Sequence, residues 1–267
     1  MTKRATNYHI LLTNDDGIHA DGLTALEEAL QEYAELTVVA PHVERSASSH
    51  ALSLQQPIRY EKISERKYAV EGTPADSVIL ALNNICQVTP DLVIAGINRG
   101  GNMGENIFYS GTVAAALEAT LNRVPAFAVS VAARENPRYE VAAAFAVQLA
   151  LKILAGGLPK GIVLNVNVPA PWVSGVRLTR QSRKLTKNLL VEGLDPRGRN
   201  YYWIHEQVDL SRVEPDTDYA AVQEGSISLT PLQIDRTEHN VVRELGNWIE
   251  DLNGILLAQV NNRPRRS

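Results

Sequence analysis

The sequence has one cysteine, Cys86, among its 267 residues, so the chain cannot form an internal disulfide. It also lacks an excess of positive charge, because 26 Lys and Arg are outnumbered by 30 Asp and Glu, which gives a formal net charge of −4. A chain poor in thiols is typical of a reducing compartment, and an acidic chain is poorly suited to bind a nucleic acid polymer. We therefore expect a cytoplasmic protein with no nucleic acid polymer as partner.

The sequence also lacks an uninterrupted apolar run of the length that a membrane span requires. Its most apolar long stretch, 141–158, contains Gln148 and Lys152 and ends in glycines, which favours a buried helix. The apolar run near the N-terminus is short and meets two aspartates, which is not the pattern of a signal peptide. We expect no association with a membrane.

Apolar and amphipathic segments alternate through the first two thirds of the chain. Strands are predicted over 9–14, 36–41, 91–98, 126–133 and 162–169, and helices over 21–34, 73–85, 110–122 and 141–155. Continuous apolar strands separated by helices predict a mostly parallel sheet that is covered on both faces. The predicted fold class is α/β, a doubly wound, Rossmann-like three-layer sandwich.

The pattern changes after Pro171, where short β segments alternate with loops rich in Asp, Pro and Gly. A last helix is predicted over about 239–252. We interpret 8–255 as one α/β domain, with a core over about 8–171 and a C-terminal β/helix extension over about 172–255. Residues 256–267 are predicted to be a solvated basic tail.

Polar residues gather in the loops that follow three of the predicted strands. In chain order these residues are Asn14, Asp15 and Asp16, then Arg45, Ser46, Ser48, Ser49 and His50, and then Asn98, Asn102, Asn106, Ser110 and Thr112. Ligands of open parallel sheets bind beyond the carboxyl ends of the strands. We therefore expect the three loops to meet at one edge of the sheet.

The adjacent carboxylates of Asp15 and Asp16 repel each other unless water or a cation separates their charges. The carboxylate, carboxamide and hydroxyl oxygens of the three loops suit a hard divalent cation such as Mg²⁺, Mn²⁺ or Ca²⁺. Gly17 permits the turn that would let both aspartates reach one ion. The simpler alternative is that Asp16 only caps or solvates the turn, but the two companion loops favour the cation.

The glycine-rich stretch before the helix predicted at 110–122 indicates an anion site. A helix start presents free N–H groups and the positive end of the helix dipole. Ser110 or Thr112 can touch a phosphate there, although ordinary helix capping is the alternative. A divalent cation beside an anion site describes a phosphate-handling site, where the metal polarises a phosphoryl oxygen and lowers the pKa of bound water.

The histidines allow both functional and structural interpretations. His50 follows the stretch SASS and is either a phosphate ligand or proton donor, or a structural residue. Asp235 and His239 are expected to pair with each other as a structural contact.

Five segments, in order, resemble motifs of the SurE family of 5′/3′-nucleotidases, the survival protein E phosphatases. The segments are ILLTNDDGIHADGLTAL, VVAPHVERSASSHALSL, VEGTPADSV, PDLVIAGINRGGNMGENIFYSGTVAAALEA and DYAAVQEGSISLTPLQID. The resemblance runs from about residue 8 to 240, and the combination of NDDG, RSxxS, GINxGxN and YSGT is highly specific. Departures from the family pattern are Ala47, Ser77 and His205.

The resemblance implies a metal-dependent 5′-nucleotidase that hydrolyses nucleoside monophosphates, with 3′-nucleotides and short polyphosphate as candidate further substrates. It implies one divalent cation per subunit, Mg²⁺ or Mn²⁺, held by Asp15, Asp16, Ser46 and Asn98, with the two aspartates also catalytic. Substrate binding is predicted for Asn14, Ser49, His50, Asn102, Ser110, Gly111 and Thr112. Family members form dimers or tetramers with C-terminal segments exchanged or packed between subunits, so a homodimer or homotetramer is expected.

Three alternatives stay open at this point. Asp15 could act as a nucleophile, or the chain could bind nucleotides without turnover. A phospho-receiver signalling domain also carries two acidic residues after its first strand. That last hypothesis is disfavoured because the strand over 91–98 ends in Asn98 where a receiver needs an aspartate, and no lysine follows the strand over 126–133.

Overall fold

The computed structural model of the chain describes residues 8–183 and 185–261. Residues 262–267 of the predicted basic tail lie outside this range, and 256–261 continue the last helix.

Most of the strands join one mixed sheet. In the described part of the chain the strands are β1 (His9–Thr13), β2 (Glu35–Pro41), β3 (Tyr60–Ser64), β4 (Lys67–Val70), β5 (Leu92–Arg99), β6 (Ala126–Val131), β7 (Ile162–Val168), β8 (Gly175–Leu178), β9 (Thr186–Leu194), β10 (Asn200–Val208) and β11 (Ser226–Gln233). The sheet has the order β3-β4-β2-β1-β5-β6-β7-β11-β8, while β9 and β10 form a separate antiparallel ribbon. All neighbours in the sheet are parallel except β3 with β4 and β7 with β11.

Helices cover both faces of the sheet. The α-helices of the described residues are α1 (Asp21–Leu30), α2 (Pro74–Leu80), α3 (Gly111–Leu121), α4 (Tyr139–Gly156), α5 (Asp218–Gln223), α6 (His239–Glu244) and α7 (Gly246–Asn261). Side chains of α1 and α4 belong to one core cluster, and those of α2 and α3 belong to another. The predicted doubly wound α/β sandwich is confirmed.

The central strand β1 shows why the apolar runs predict a buried parallel sheet. Ile10 and Leu12 lie in the core formed with α1 and α4, whereas Leu11 lies in the core formed with α2 and α3. Successive side chains of a strand point to opposite faces, so a strand covered on both sides must be apolar throughout. All three residues are fully buried.

One helix among the described residues, α4, is long and apolar enough by composition to cross a membrane. In the structure it packs against α1, β5 and β6. Ala142, Ala146 and Ala150 are fully buried members of the core. The prediction of a buried core helix over 141–155 is therefore confirmed.

The C-terminal third contributes to the sheet as well as extending from it. Strand β11 pairs with β7, and β8 pairs with β11, so both extend the main sheet beyond the predicted core. The described residues up to Ile234 form one compact unit, and those from Asp235 onward form a second. A single domain over 8–255 stays a prediction.

The second unit contains α6, α7 and the segment before them. The helix predicted over 239–252 is in fact two helices, because α6 ends at Glu244 and α7 begins at Gly246. The expected pair between Asp235 and His239 is present, with 3.0 Å between Asp235 Oδ2 and His239 Nε2. Both side chains are exposed, which fits a local contact ahead of α6.

The start of α1 passes so close to β5 that we predict only glycine fits at position 22. A Cβ on Gly22 would lie 2.0 Å from the carbonyl oxygen of Ile97. We expect Gly22→Ala to lower the free energy of unfolding, measured in urea, by about 1–3 kcal/mol because two backbones would have to separate. The matched control is Gly156→Ala, where nothing lies within 4 Å of the added Cβ and stability should be unchanged or slightly higher. Equal stability of Gly22→Ala and the wild type would contradict this close packing.

Candidate functional site

A cleft of about 940 Å³ opens where β1 and β5 end. The four residues that the family resemblance implies as metal ligands, Asp15, Asp16, Ser46 and Asn98, all line it. They come from three separate loops, after β1, after β2 and at the end of β5. The expected meeting of three loops at one edge of the sheet is therefore observed.

The acidic turn after β1 is closed by its own neighbours. Asn14 is fully buried, donates from Nδ2 to the carbonyl of Gly17 at 2.9 Å, and accepts at Oδ1 from the N–H of Gly17 at 3.2 Å. Gly17 has φ +104°, a conformation that glycine adopts without strain. The turn thus holds Asp15 and Asp16 in fixed positions at the floor of the cleft.

Three hydrogen bonds connect the acidic turn to the other two loops. The N–H of Arg45 donates to the carbonyl of Asp15 at 2.7 Å, and the N–H of Arg99 donates to Asp16 Oδ2 at 3.1 Å. Thr112 donates from its hydroxyl to Asp15 Oδ1. The loop after β2 thus holds the backbone of the turn, while Arg99 and Thr112 hold the two carboxylates themselves.

Both carboxylates pay an electrostatic cost for their position. Asp15 is only 4% exposed, and burial raises its pKa to about 6, against a lowering by the Thr112 hydroxyl and with a further increase from Asp16. Burial also raises the pKa of Asp16, while the N–H of Arg99 lowers it and Glu44 raises it. A positive charge in the cleft would reverse this cost, because it favours the ionised form of both groups.

The donor chemistry of the four residues fits a hard divalent cation. Asn98 donates from Nδ2 to the carbonyl of Gly100 at 2.7 Å, which leaves its Oδ1 as an acceptor. Ser46 donates its hydroxyl proton to Glu44 at 2.6 Å, so the lone pairs of its oxygen are available for a cation. Oxygen atoms from carboxylate, amide and hydroxyl groups are the ligands that Mg²⁺, Mn²⁺ and Ca²⁺ prefer.

The beginning of α3 lies beside the carboxylates. Ser110 lines the cleft and caps α3 by accepting from the N–H of Val113 at 3.1 Å. A Cβ on Gly111 would lie 2.9 Å from Asp15 Cβ and 2.7 Å from Ser48 Oγ, so only glycine permits this approach. Ser48 Oγ is buried and has no hydrogen-bond partner within the described structure. A polar ligand at the start of α3 could therefore complete its hydrogen bonding.

Asn102 lines the cleft and is held in place by hydrogen bonds to two strands of the sheet. Its N–H donates to Asn167 Oδ1 at 2.8 Å and its Nδ2 donates to Ser130 Oγ at 2.9 Å. Its carbonyl accepts from the side chain of Asn165 at 2.8 Å. These contacts connect the glycine-rich loop to β6 and β7, which fixes the loop relative to the sheet.

Five of the predicted substrate-binding residues do not line the cleft. These are Asn14, Ser49, His50, Gly111 and Thr112. Four of them make structural contacts instead: Asn14 closes the acidic turn, Thr112 bonds to Asp15, Gly111 allows the close approach of α3, and the N–H of Ser49 donates to the carbonyl of Tyr109 at 3.0 Å.

The histidine predicted as a phosphate ligand or proton donor does not line the cleft and contacts a glutamate of α3. His50 Nε2 lies 2.8 Å from Glu118 Oε2, and Glu118 is a buried residue of α3. This contact connects the loop after β2 to the body of α3. It corresponds to the structural alternative for His50.

Several residues that line the cleft were not singled out from the sequence as site residues. They are Glu44, Arg99, Arg134 and Tyr139, together with Asn188, Ile204 and Glu206 from the ribbon β9–β10. Arg99 directly follows Asn98, so its position carried a usable signal. The three ribbon residues lie about 90 or more positions beyond Asn98, and no local pattern connects them to the site.

Fold and cleft together define a doubly wound α/β protein with an acidic, oxygen-rich ligand cleft at the carboxyl edge of its sheet. The family model described as survival protein SurE matches residues 10–188. The chain is 48% identical over 244 residues to the 5′-nucleotidase SurE of Geobacter sulfurreducens, covering 90% of this chain and 93% of that protein. It is equally similar to the 5′-nucleotidase SurE of Citrifermentans bemidjiense, covering 98% of that protein.

The crystal structure of the SurE protein from Aquifex aeolicus is also similar, with a TM-score of 0.82 and 38% identity. The match covers 91% of this chain and 99% of that one. The chain belongs to the SurE family.

The buried position of Asp15 predicts that its charge destabilises the metal-free protein. Because burial raises its folded-state pKa to about 6, the cost is absent below about pH 4, grows between about pH 4 and 6, and is constant at higher pH. We expect Asp15→Asn in EDTA at pH 8 to raise the free energy of unfolding by about 1–3 kcal/mol, with no gain near pH 4.

Saturating Mg²⁺ should stabilise the wild type in the same urea titrations and should stabilise Asp15→Asn much less. An Asp15→Asn variant that is no more stable than the wild type at pH 8 in EDTA would contradict the burial cost.

Proposed function

We propose that this protein is a divalent-metal-dependent 5′-nucleotidase, a phosphoric monoester hydrolase that converts nucleoside monophosphates to nucleoside and phosphate. The observation that carries the proposal is the pair of adjacent carboxylates, buried Asp15 and half-buried Asp16, in one cleft with the start of α3. The names of the two bacterial relatives, both 5′-nucleotidase SurE, support it.

In this proposal Asp15, Asp16, Ser46 and Asn98 hold one Mg²⁺ or Mn²⁺ ion per chain. When bound, such an ion acts as a Lewis acid on the phosphoryl group and lowers the pKa of a water molecule. The proposal is supported by the oxygen-only donor set and by the raised pKa of both aspartates. It also gives these two carboxylates a role that outweighs the cost of their burial.

The chain's own residues bind and orient the phosphate group opposite the aspartates. The N–H of Gly111 has no acceptor in α3 and lies next to Ser110, which lines the cleft, so it suits a phosphoryl oxygen, whereas the N–H of Thr112 is bonded to Asp15. The guanidinium groups of Arg99 and Arg134 line the same cleft. Donors fixed in this way stabilise the charge that develops on the phosphoryl oxygens as the nucleoside leaves.

A cytoplasmic location is also part of the proposal, and the state of the one thiol supports it. Cys86 is a free cysteine, and burial raises the pKa of its thiol. A free thiol is compatible with a reducing compartment, and we infer a cytoplasmic location.

The activity itself can be tested with a panel of nucleoside 5′- and 3′-monophosphates. We expect phosphate release to stop in EDTA and to return when Mg²⁺ or Mn²⁺ is added in excess. Asp16→Asn should lower kcat/KM by at least about a hundredfold while leaving the unfolding transition intact, because one ligand oxygen loses its charge. Metal-independent release, or full activity of Asp16→Asn, would contradict the proposed site.

We also propose that the protein is a homodimer or homotetramer. The observation is a row of apolar side chains on α7, each more than half exposed: Trp248, Ile249, Leu252, Ile255 and Leu256. They recur at helical spacing, so they form one face, and an exposed apolar face of this kind marks a protein–protein contact. Separately, Val191 and Trp203 of the ribbon β9–β10 lie directly opposite each other and are also exposed.

A charge in this apolar row should weaken assembly. We expect Leu252→Asp to shift the molar mass measured by light scattering towards a smaller species at micromolar concentration, since burying an unpaired carboxylate is costly. The matched control is Asn253→Asp, which adds the same charge beside the row and should leave the mass unchanged. A wild-type protein that is monomeric under these conditions would contradict the proposal.

A further inference from the structure

We propose that the ribbon β9–β10 forms the nucleoside-binding wall of the cleft, with Asn188, Ile204 and Glu206 as its specificity-determining residues. This inference rests on the proposed nucleotidase function and extends it to the part of the substrate that does not react. The ribbon is the part of the cleft lining that comes from the C-terminal third of the chain, apart from the loops that carry the proposed cation and phosphate residues.

The register of the ribbon puts the three side chains on one face. Asn188 lies directly opposite Glu206 in the antiparallel pairing, and Ile204 is two residues before Glu206 on the same strand. Side chains two apart on a strand, and side chains directly opposite across strands, share a face. All three line the cleft, whereas their immediate neighbours Lys187 and Gln207 do not.

The base of the ribbon is attached to the loop that precedes α3. The carboxylate of Glu105 accepts from the N–H of Leu185 at 3.2 Å, from the N–H of Thr186 at 2.7 Å and from the Thr186 hydroxyl. Glu105 lies between Asn102 and Ser110, which both line the cleft. The ribbon is therefore held against the loop that binds the phosphate in our proposal.

A second attachment comes from the segment before the ribbon. Asp218 is fully buried and accepts from the N–H of Gly104 at 2.8 Å and from the N–H of Ser182 at 3.1 Å. Gln181 donates to the carbonyl of Gly104 at 2.8 Å. Glu105 of the glycine-rich loop and Asp218 of α5 thus connect the segment that leads into the ribbon to the glycine-rich loop.

The chemistry of the wall suits the nucleoside end of a substrate. Ile204 is 70% exposed and offers apolar surface to a base, while Asn188 offers both donors and an acceptor. The carboxylate of Glu206 accepts hydrogen bonds from ribose hydroxyls but repels phosphate. The two arginines of the cleft, Arg99 and Arg134, lie instead at the end of β5 and after β6, at the edge of the sheet.

The size of the cleft supports the same assignment. Its volume of about 940 Å³ lies at the upper end of the range for clefts that enclose whole small molecules, so it has room for more than a phosphate group. A wall that contacts base and ribose would supply binding energy that a phosphate alone cannot.

The test compares two substrates on the intact protein with Mg²⁺ or Mn²⁺ present. Asn188→Ala and Glu206→Ala should each lower kcat/KM for nucleoside 5′-monophosphates about tenfold, mainly through KM, because each removes one hydrogen-bonding group of the wall. Hydrolysis of p-nitrophenyl phosphate, which has no ribose or base, should stay within about twofold of the wild type. The matched control is Gln207→Ala, on the same strand and the opposite face, which should change neither substrate.

Three outcomes would overturn the inference. Unchanged nucleotide kinetics in both variants would show that the wall does not contact the nucleoside. An equal loss on both substrates would show that the ribbon acts on the phosphate site or on the fold. A wild-type protein that cleaves no nucleotide with either cation would overturn the proposed function, and this inference with it, and is recognised without any variant.

Discussion

The placement of two adjacent carboxylates, buried Asp15 and half-buried Asp16, at the edge of the sheet is the constraint on which the site depends. The ionised form of both side chains is disfavoured there, because burial raises the pKa of each carboxyl. The surrounding structure holds them in place nevertheless, through Asn14 within the turn and Thr112 from α3. A positive charge in the cleft would remove this cost, which supports the cation site that we propose.

The support is built from the two apolar cores outward. Strands such as β1 and β5 pack into a core on both faces. This packing holds their carboxyl ends in place, and with them the start of each loop that follows. Contacts farther from the sheet then add the parts that a phosphate site alone would not need. Glu105 and Asp218 attach the C-terminal segments to the glycine-rich loop, which brings the ribbon β9–β10 to the same cleft.

The sequence was sufficient to predict the parallel core, because apolar runs that must be buried on both faces leave few alternatives. It also predicted the meeting of Asp15, Ser46 and Asn98 in one cleft, since strand ends converge by topology. Strand β3 was missed because all of its residues are exposed and carry no apolar periodicity. The sequence could not predict which side chains contact each other. His50 and Glu118, for example, are 68 positions apart, and no local pattern connects them.

The central claim is that four oxygen-bearing side chains on three loops hold one divalent cation. The most direct test is a calorimetric titration of the metal-free protein with Mn²⁺. We expect saturable binding of one ion per chain in the wild type, and a loss of affinity of at least about tenfold in folded Asn98→Ala, which removes one neutral ligand. No saturable binding by the folded wild type, or unchanged affinity in Asn98→Ala, would contradict the account.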